Sequence, residues 1–258
     1  MRASKNSSAV SALRRPAGAR PFVLGHRGAR HAAPENTLAA FELALSEGAD
    51  GVELDVRLDR SGRAIVLHDT GLARVTQGVD ARRVAELSAA EVDAAHAGGG
   101  EHIPVLIDVL AWAEEREARV NVELKGDVPS LKALAQAVAG DVKKVRAAPE
   151  RIFFSSFHPW LVRALATALP EFVTGWLVHE KQRAFRSAIL FRMLGAAAVH
   201  PERTLITTER MARWRRADAL VNTWTVNDDA EARQLAELGV DTIISDRPGA
   251  ILQALAAP

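Results

Sequence analysis

The sequence predicts an α/β fold, a (β/α)8 TIM barrel, on three observations. From Phe22 onward, short runs rich in β-branched residues alternate with stretches that have the apolar spacing of helices, which is typical of parallel strands joined by helical crossovers. Eight such units lie in roughly 240 residues, which matches a closed barrel better than an open doubly wound sheet of about six strands. No linker rich in Pro, Gly or Ser divides them. The open sheet is the alternative.

The predicted elements alternate along the whole of this region. The eight strands are predicted at 22–24, 51–58, 119–124, 151–156, 172–178, 196–200, 219–226 and 241–245. The helices are predicted at 34–48, 105–117, 129–140, 158–168, 181–193 and 228–238. The first of these helices has a candidate N-cap in Asn36 or Thr37, an apolar stripe that includes Phe41, and a terminating Gly48.

One part of the pattern is irregular, between the second and third barrel strands. After Leu58, the stretch "DRSGR" has turn composition and "AIVLHD" has strand composition, which predicts a hairpin centred near Ser61 and Gly62. A hairpin centred there places position 55 opposite position 68. The residues that follow, at about 70–103, are predicted to form a small insertion over one mouth of the barrel.

Composition and charge narrow the classes of protein further. The 258 residues are 48% hydrophobic and 25% charged, the net charge is +1, and there is no cysteine. A nearly neutral chain has no field that favours nucleic acid, and the lack of cysteine excludes disulfides and thiolate metal sites. Residues 1–20 are basic and Ser-rich without the apolar stretch of a signal peptide, which predicts a disordered leader before a barrel domain at 21–258. No run of about 18 apolar residues is present, so we expect a soluble, cytoplasmic protein without a transmembrane segment.

Two strands place acidic residues on one face. Glu53 and Asp55 are two residues apart in "GVELDVRL", and Glu123 and Lys125 repeat this spacing in "NVELKG". A barrel strand has no solvated face, and a buried unpaired carboxylate costs several kcal/mol. If the four side chains converge, a charge of about −2 remains, which predicts one divalent cation. Ligands that are all oxygen suit Mg²⁺ or Ca²⁺, with Mn²⁺ a further candidate, whereas zinc usually recruits imidazole or thiolate.

Two histidines are predicted to lie beside these carboxylates. His26 closes the first strand and precedes Arg27, and the hairpin brings His68 close to Asp55. Active sites of such barrels lie at the carboxyl ends of the strands. An arginine that grips phosphate oxygens, a cation that takes up developing charge and imidazoles that move protons together fit phosphoryl transfer.

These residues lie in motifs that resemble those of the glycerophosphodiester phosphodiesterases. The stretch "GHRGARHAAPENTLAAFELALSEGADGVELDVRLDRSGRAIVLHD" resembles the opening signature of that family, and the similarity continues through "VNVELKG", "SSFHPWLVRAL", "VNTWTVND" and "GVDTIISDRP". The resemblance implies a barrel with a small insertion, a divalent metal, and hydrolysis of a small-molecule glycerophosphodiester to sn-glycerol 3-phosphate and an alcohol. The insertion keeps the family outline only loosely, which leaves the preferred alcohol open.

The resemblance also implies roles for individual residues. His26 and His68 would be the acid/base pair, and Glu53, Asp55 and Glu123 the metal ligands. Arg27 and Lys125 would hold the phosphate, and Trp224 would line a glycerol pocket. In this family the 2-hydroxyl of the substrate is thought to attack phosphorus, which gives a cyclic phosphate that water then opens.

Two alternative functions share parts of this pattern. A phosphodiesterase like lysophospholipase D or sphingomyelinase D would carry the same motifs and release a different product. A non-catalytic phosphate-binding barrel would be expected to lack one of the two histidines or three carboxylates, and all five are present.

Several other signals are interpreted as structural. The basic segment 210–217 is predicted to be a solvated helix face rather than a nucleic-acid patch, and 181–195 an outer barrel helix rather than a membrane contact. The Asp246–Pro248 turn is interpreted as a helix start, and a place for His200 at the site is left open. The remaining histidines lack ligand spacing: His31, His96, His102, His158 and His179.

Overall fold

The computed structural model describes residues 6–181 and 188–256, and within them nine strands form one sheet. Eight of the strands are parallel, and the first and last of these pair with each other, which closes the sheet into a barrel. The predicted TIM barrel is therefore confirmed and the open sheet is wrong. The strands are β1 (Phe22–His26), β2 (Gly51–Leu58), β3 (Ala64–Val66), β4 (Arg119–Leu124), β5 (Ile152–Ser156), β6 (Val173–Val178), β7 (Ala198–Pro201), β8 (Leu220–Thr223) and β9 (Thr242–Ser245).

Helices lie between the strands at the predicted positions, and two further helices, Ser7–Leu13 and Ala89–Asp93, were not predicted. In the part of the chain that the structure describes they are α1 (Ser7–Leu13), α2 (Leu38–Ser46), α3 (Ala89–Asp93), α4 (Leu106–Glu115), α5 (Leu131–Val145), α6 (Pro159–Ala168), α7 (Ala188–Met193), α8 (Thr208–Arg216), α9 (Asp229–Leu238) and α10 (Pro248–Ala256). Thr37, Ser130 and Asp228 begin three of them by accepting a hydrogen bond from a backbone N–H three residues on. Of the predicted helix at 181–193, residues 182–187 lie outside the described residues. Across the described ranges, no helix has the length and apolarity to cross a bilayer.

Strand β2 shows how the two faces of the barrel wall differ. Val52, Leu54 and Val56 are fully buried in the apolar layer between the wall and the helices. Because side chains alternate along a strand, Glu53 and Asp55 face the barrel interior, where they are only 3% and 1% exposed. The strand therefore buries charge on one side and apolar surface on the other.

The amino-terminal residues close the barrel at the end opposite the strands' carboxyl termini. Ala9 and Leu13, one turn apart on α1, pack against the first inward-facing apolar residues of the strands, among them Leu24 of β1. Arg14 binds Asp218 at 2.8 Å just before β8. The predicted disorder of residues 1–20 is wrong for residues 6–20, because this short helix covers an apolar layer that would otherwise meet water. Residues 1–5 lie outside the described part of the chain.

The predicted hairpin is present, with a register that differs by one residue. Val56 lies opposite Val66, and the N–H of Leu67 donates to the carbonyl of Asp55 at 2.9 Å. Position 55 therefore pairs with position 67, and the predicted pairing with 68 is wrong. The five-residue loop is centred on Ser61 alone, since the N–H of Asp59 donates to the carbonyl of Arg63. The segment between β3 and α4 then packs on an apolar cluster of its own.

Candidate active site

The register of the barrel brings the predicted site residues together at the carboxyl ends of three neighbouring strands. His26 of β1 lies opposite Glu53 of β2, and Asp55 of β2 lies opposite Glu123 of β4. The Nε2 atom of His26 is 3.9 Å from an Oε2 of Glu53. Arg27 follows β1 directly, so the rim where it lies is the one that carries active sites in barrels of this kind.

Three carboxylates form the centre of this rim. Glu53, Asp55 and Glu123 each contribute an oxygen that lies within 4.8 Å of the other two. The Nζ atom of Lys125 is 2.6 Å from Asp55 Oδ1 and also contacts Glu123, while the Nε atom of Arg27 is 3.1 Å from Asp55 Oδ2. Two cations thus face three carboxylates.

The pKa values of these three carboxyl groups are shifted by burial and by the charges around them. Burial, and then the charges of Asp55 and Glu123, raise the pKa of Glu53 well above its usual value. Burial likewise raises the pKa of Glu123. Burial acts in the same direction on Asp55, but Lys125 and Arg27 outweigh it and hold that pKa below its usual range. A divalent cation bound to these carboxylate oxygens would stabilise their ionised forms and so offset the effect of burial on their pKa values.

Each predicted acid/base histidine is held by its own carboxylate. The Nδ1 atom of His26 is 2.6 Å from Asp246 Oδ1, and the Nδ1 atom of His68 is 2.7 Å from Asp69 Oδ1. A carboxylate only accepts hydrogen bonds, so each Nδ1 carries the proton and each Nε2 is the nitrogen that can exchange one. Burial lowers the pKa of both imidazoles.

Asp246 was missed as a site residue by the sequence analysis. The interpretation of the Asp246–Pro248 turn as a helix start is confirmed, since α10 begins at Pro248, but the same turn also places Asp246 to accept from His26 Nδ1 at 2.6 Å and from Asn227 Nδ2 at 2.7 Å. The register of the closing strands could have revealed this contact. Gly25 pairs with Ser245 across the closing strands, so the next residues, His26 and Asp246, emerge side by side.

Three further side chains, which the sequence analysis did not assign to the site, hold the predicted site residues in position. Glu35 binds Arg27 Nη1 at 2.9 Å. Asn36 donates to Asp55 Oδ2 at 3.0 Å. Of the two candidate caps of α2, Asn36 and Thr37, it is therefore Thr37 that caps the helix. Arg57 donates from Nε to the carbonyl of His68 at 2.7 Å. This bond holds His68 one residue beyond the last paired position of the hairpin, Leu67.

Trp224 stands apart from the carboxylates. It follows β8, which lies four strands from β4 around the barrel, and its Nε1 donates to the carbonyl of His200 at 2.9 Å. Its ring meets that of Phe157 edge to face, with centroids 5.6 Å apart. The structure thus places Trp224 in an aromatic wall across the rim from the predicted metal ligands.

His200 lies inside the barrel rather than at its rim. Its ring is fully buried, shares a hydrogen bond of 3.0 Å with Asn222, and occupies space that only a glycine at position 175 leaves, since a Cβ there would come within 2.3 Å of Nε2. Burial lowers the pKa of this imidazole to about 3. The ring is therefore neutral in the folded protein.

We expect this histidine to make the protein sensitive to acid. Between pH 6.5 and about 3 the His200 imidazole is protonated in the unfolded chain but stays neutral in the folded protein, so the free energy of unfolding falls as the pH falls. The loss is about 2 kcal/mol between pH 7 and pH 5. Urea denaturation of the wild type and of His200→Gln at both pH values measures it, with the exposed His96→Gln as control. An equal loss of stability in wild type and His200→Gln would contradict the assignment.

Buried carboxylates beside two histidines and two cationic side chains, at the carboxyl ends of barrel strands, fit an enzyme that cleaves phosphoric diesters. The model of the glycerophosphoryl diester phosphodiesterase family matches residues 26–250. The chain belongs to this family, and it is a glycerophosphodiester phosphodiesterase, as the sequence motifs predict.

Individual relatives match over nearly their whole length. A glycerophosphodiester phosphodiesterase from Caldanaerobacter subterraneus is 29% identical over 238 residues, which cover 90% of this chain and 96% of the relative. Among solved structures, a phosphodiesterase from Oleispira antarctica in complex with the product sn-glycerol-3-phosphate is 27% identical with a TM-score of 0.84 and covers 92% and 98%. The glycerophosphodiester phosphodiesterase from Agrobacterium tumefaciens is 29% identical with a TM-score of 0.76 and covers 90% and 99%.

Proposed function

We propose that this enzyme hydrolyses glycerophosphodiesters to sn-glycerol 3-phosphate and an alcohol, with a divalent cation and with His26 and His68 as acid and base. The observation that carries the proposal is the arrangement of the rim, where a cluster of three carboxylates lies beside two histidines that are each held by a carboxylate. The Oleispira relative, in complex with sn-glycerol-3-phosphate, supports the identity of the product.

The donor set fits one divalent cation, which Glu53, Asp55 and Glu123 would hold. Their oxygens lie within 4.8 Å of one another, all donors are oxygen, and the two neighbouring cations leave one carboxylate uncompensated. Mg²⁺, Ca²⁺ and Mn²⁺ favour such ligands. When bound, the cation would stabilise the negative charge that develops on the phosphoryl oxygens.

Arg27 and Lys125 are the residues that would bind the phosphate. Both cations lie in the carboxylate cluster, and their side chains are only 11% and 12% exposed. The guanidinium offers a planar pair of donors that matches two phosphate oxygens, and the ammonium adds a point charge. Glu35 and Asp55 fix the direction of the Arg27 side chain before substrate arrives.

The two histidines would move the protons of a two-step reaction. In the first step, His26 takes the proton of the glycerol 2-hydroxyl while its oxygen attacks phosphorus, and His68 gives a proton to the departing alcohol oxygen. In the second step, His68 takes a proton from the attacking water and His26 returns one to the 2-oxygen, which opens the cyclic phosphate. Asp246 and Asp69 stabilise each imidazolium as it forms, as the carboxylate does in hydrolytic triads.

Trp224 would line the glycerol pocket from the opposite side of the rim. Its ring is held by the hydrogen bond to the His200 carbonyl and by the contact with Phe157. A flat apolar wall suits the carbon backbone of glycerol, while the polar rim engages the phosphate.

One assay tests this function. Purified enzyme with added Mg²⁺ or Ca²⁺ is incubated with glycerophosphocholine, and free sn-glycerol 3-phosphate and choline are measured. We expect both products in equal amounts. Accumulation of a cyclic phosphate, or preferential release of lysophosphatidic acid from a lysophospholipid, would assign the chain to the sphingomyelinase D or lysophospholipase D type. Phosphate binding without turnover of any diester would indicate a binding barrel.

A further inference from the structure

We propose that Arg74 is a positioning residue for the reaction, which holds the acid His68 and the phosphate-binding Arg27 through one shared guanidinium. The inference rests on the proposed function, because it concerns the residues to which that function assigns the acid and the phosphate contact. Arg74 lies in the segment between β3 and α3, outside the strands that carry the site.

The guanidinium of Arg74 binds two carboxylates at once. Its Nε donates to Asp69 Oδ2 at 2.6 Å. Its Nη1 and Nη2 donate to the two oxygens of Glu35 at 2.6 and 2.9 Å, as a fork. Paired donors of this kind fix the direction of a carboxylate as well as its position.

Both carboxylates pass this constraint to a site residue. Asp69 uses its other oxygen, Oδ1, to accept from His68 Nδ1 at 2.7 Å. Glu35 accepts from Arg27 Nη1 at 2.9 Å through the same Oε1 that Arg74 binds. Arg74 is thus connected to the proposed acid, His68, through Asp69 and to the phosphate-binding Arg27 through Glu35.

The chain of charges extends as far as the second histidine. Arg30 lies between Glu35 and Asp246, at 3.7 Å and 3.4 Å, and Asp246 binds His26. Alternating charges therefore connect His68 with His26 along the rim. His68, Asp69 and Arg74 all lie after β3, so this segment supplies both the proposed acid and the guanidinium that orients it.

The contribution of Arg74 to folding stability is too small to explain its contacts with Asp69 and Glu35. The side chain of Arg74 is 45% exposed, and exposed ion pairs contribute about 0–1 kcal/mol to folding. Positioning has a much larger effect on rate, since a shift of about 1 Å in a reacting group can cost about 10²-fold. Lysine offers a single point of attachment and cannot bind Asp69 and Glu35 in the same geometry.

The test compares Arg74→Gln and Arg74→Lys with a matched control, Arg82→Gln. Arg82 lies in the same segment, is 51% exposed, and forms a similar fork with Asp80 and a bond to Glu91 away from the site. Steady-state kinetics are measured at saturating metal on glycerophosphocholine and on a nitrophenyl ester of glycerol 3-phosphate, whose leaving group needs little protonation. His68→Ala is measured alongside.

We expect Arg74→Gln to lower kcat on glycerophosphocholine by about 10–100-fold through His68, to lower kcat on the nitrophenyl ester far less, and to raise KM on both substrates to the same modest extent through Arg27. Arg74→Lys should fall between it and the wild type, and Arg82→Gln should stay within about 2-fold of wild type. A loss that is equal on both substrates, or no loss in Arg74→Gln, overturns the inference. If His68→Ala itself shows no dependence on the leaving group, the proposed function fails in its assignment of the acid, and the inference fails with it.

Discussion

Replacing His26 or His68 by alanine is expected to lower kcat on glycerophosphocholine by about 10²–10⁴-fold, the usual contribution of a positioned acid or base. KM should change far less, because Arg27, Lys125 and the cation bind the phosphate in the ground state as well as in the transition state. The structure supports this division: each histidine is fixed at Nδ1 by its own carboxylate, whereas both cations lie in the carboxylate cluster.

The leaving group separates the two histidines. On the nitrophenyl ester, His68→Ala should regain much of its activity, because nitrophenolate departs without a proton, and His26→Ala should not. The two losses should also be non-additive, since one proton is taken and one is given in the same step. His96→Ala, an exposed histidine in the segment after β3, is the control. Near-wild-type kcat in both single variants on glycerophosphocholine would show that the proposed mechanism is wrong.

Removal of the metal is expected to abolish turnover, and Mg²⁺, Ca²⁺ or Mn²⁺ to restore it. Without the cation, three carboxylates face two cations, and the pKa of Glu53 is raised by burial and by its acidic neighbours. A protonated or repelling carboxylate cluster cannot stabilise additional charge on phosphate. Activity is measured in excess chelator after elemental analysis confirms that the metal has been removed. Full activity in such a sample would refute the metal assignment.

A binding measurement tests the same site without reference to activity. Calorimetric titration of metal into Glu53→Gln and Asp55→Ala should show weaker binding than in the wild type, while Asp93→Asn, a half-exposed carboxylate in the segment after β3, should bind as the wild type does. Glu53→Gln should also melt at no lower temperature than the metal-free wild type, because it removes a buried charge that its neighbours disfavour. Unchanged binding in both site variants would mean that other residues hold the metal.

The parts of the fold that depend on local pattern could be predicted from the sequence. The alternation in "GVELDVRL" places Val52 in the outer apolar layer and Glu53 inside the barrel, as the structure has them. The eight βα units indicate closure because their number matches a barrel, and the pairing of β1 with β9 confirms it. The convergence of Glu53, Asp55 and Glu123 follows from strand spacing once the barrel is accepted.

The parts that the sequence analysis missed depend on contacts between distant segments. Asp246 meets His26 across 220 residues, so no local pattern reveals the pair without the register of the closing strands. The helix that contains Ala9 and Leu13 has only seven residues, too few to be stable alone, and it is stabilised by the apolar surface at the end of the barrel. The hairpin register differed by one residue because loop composition does not determine where a five-residue turn is centred.

The closure of the barrel by β1 and β9 has a consequence for the biosynthesis of the enzyme. The first barrel strand to be synthesised, β1, pairs with the last, β9, so it can complete its pairing only at the end of synthesis. Arg14 of the amino-terminal segment likewise bonds to Asp218, which is synthesised much later. A nascent chain can therefore form βα units one after another while His26 still lacks the carboxylate that orients it. We therefore expect hydrolytic activity to begin only when the final strand has docked, so that the onset of activity reports the completion of folding.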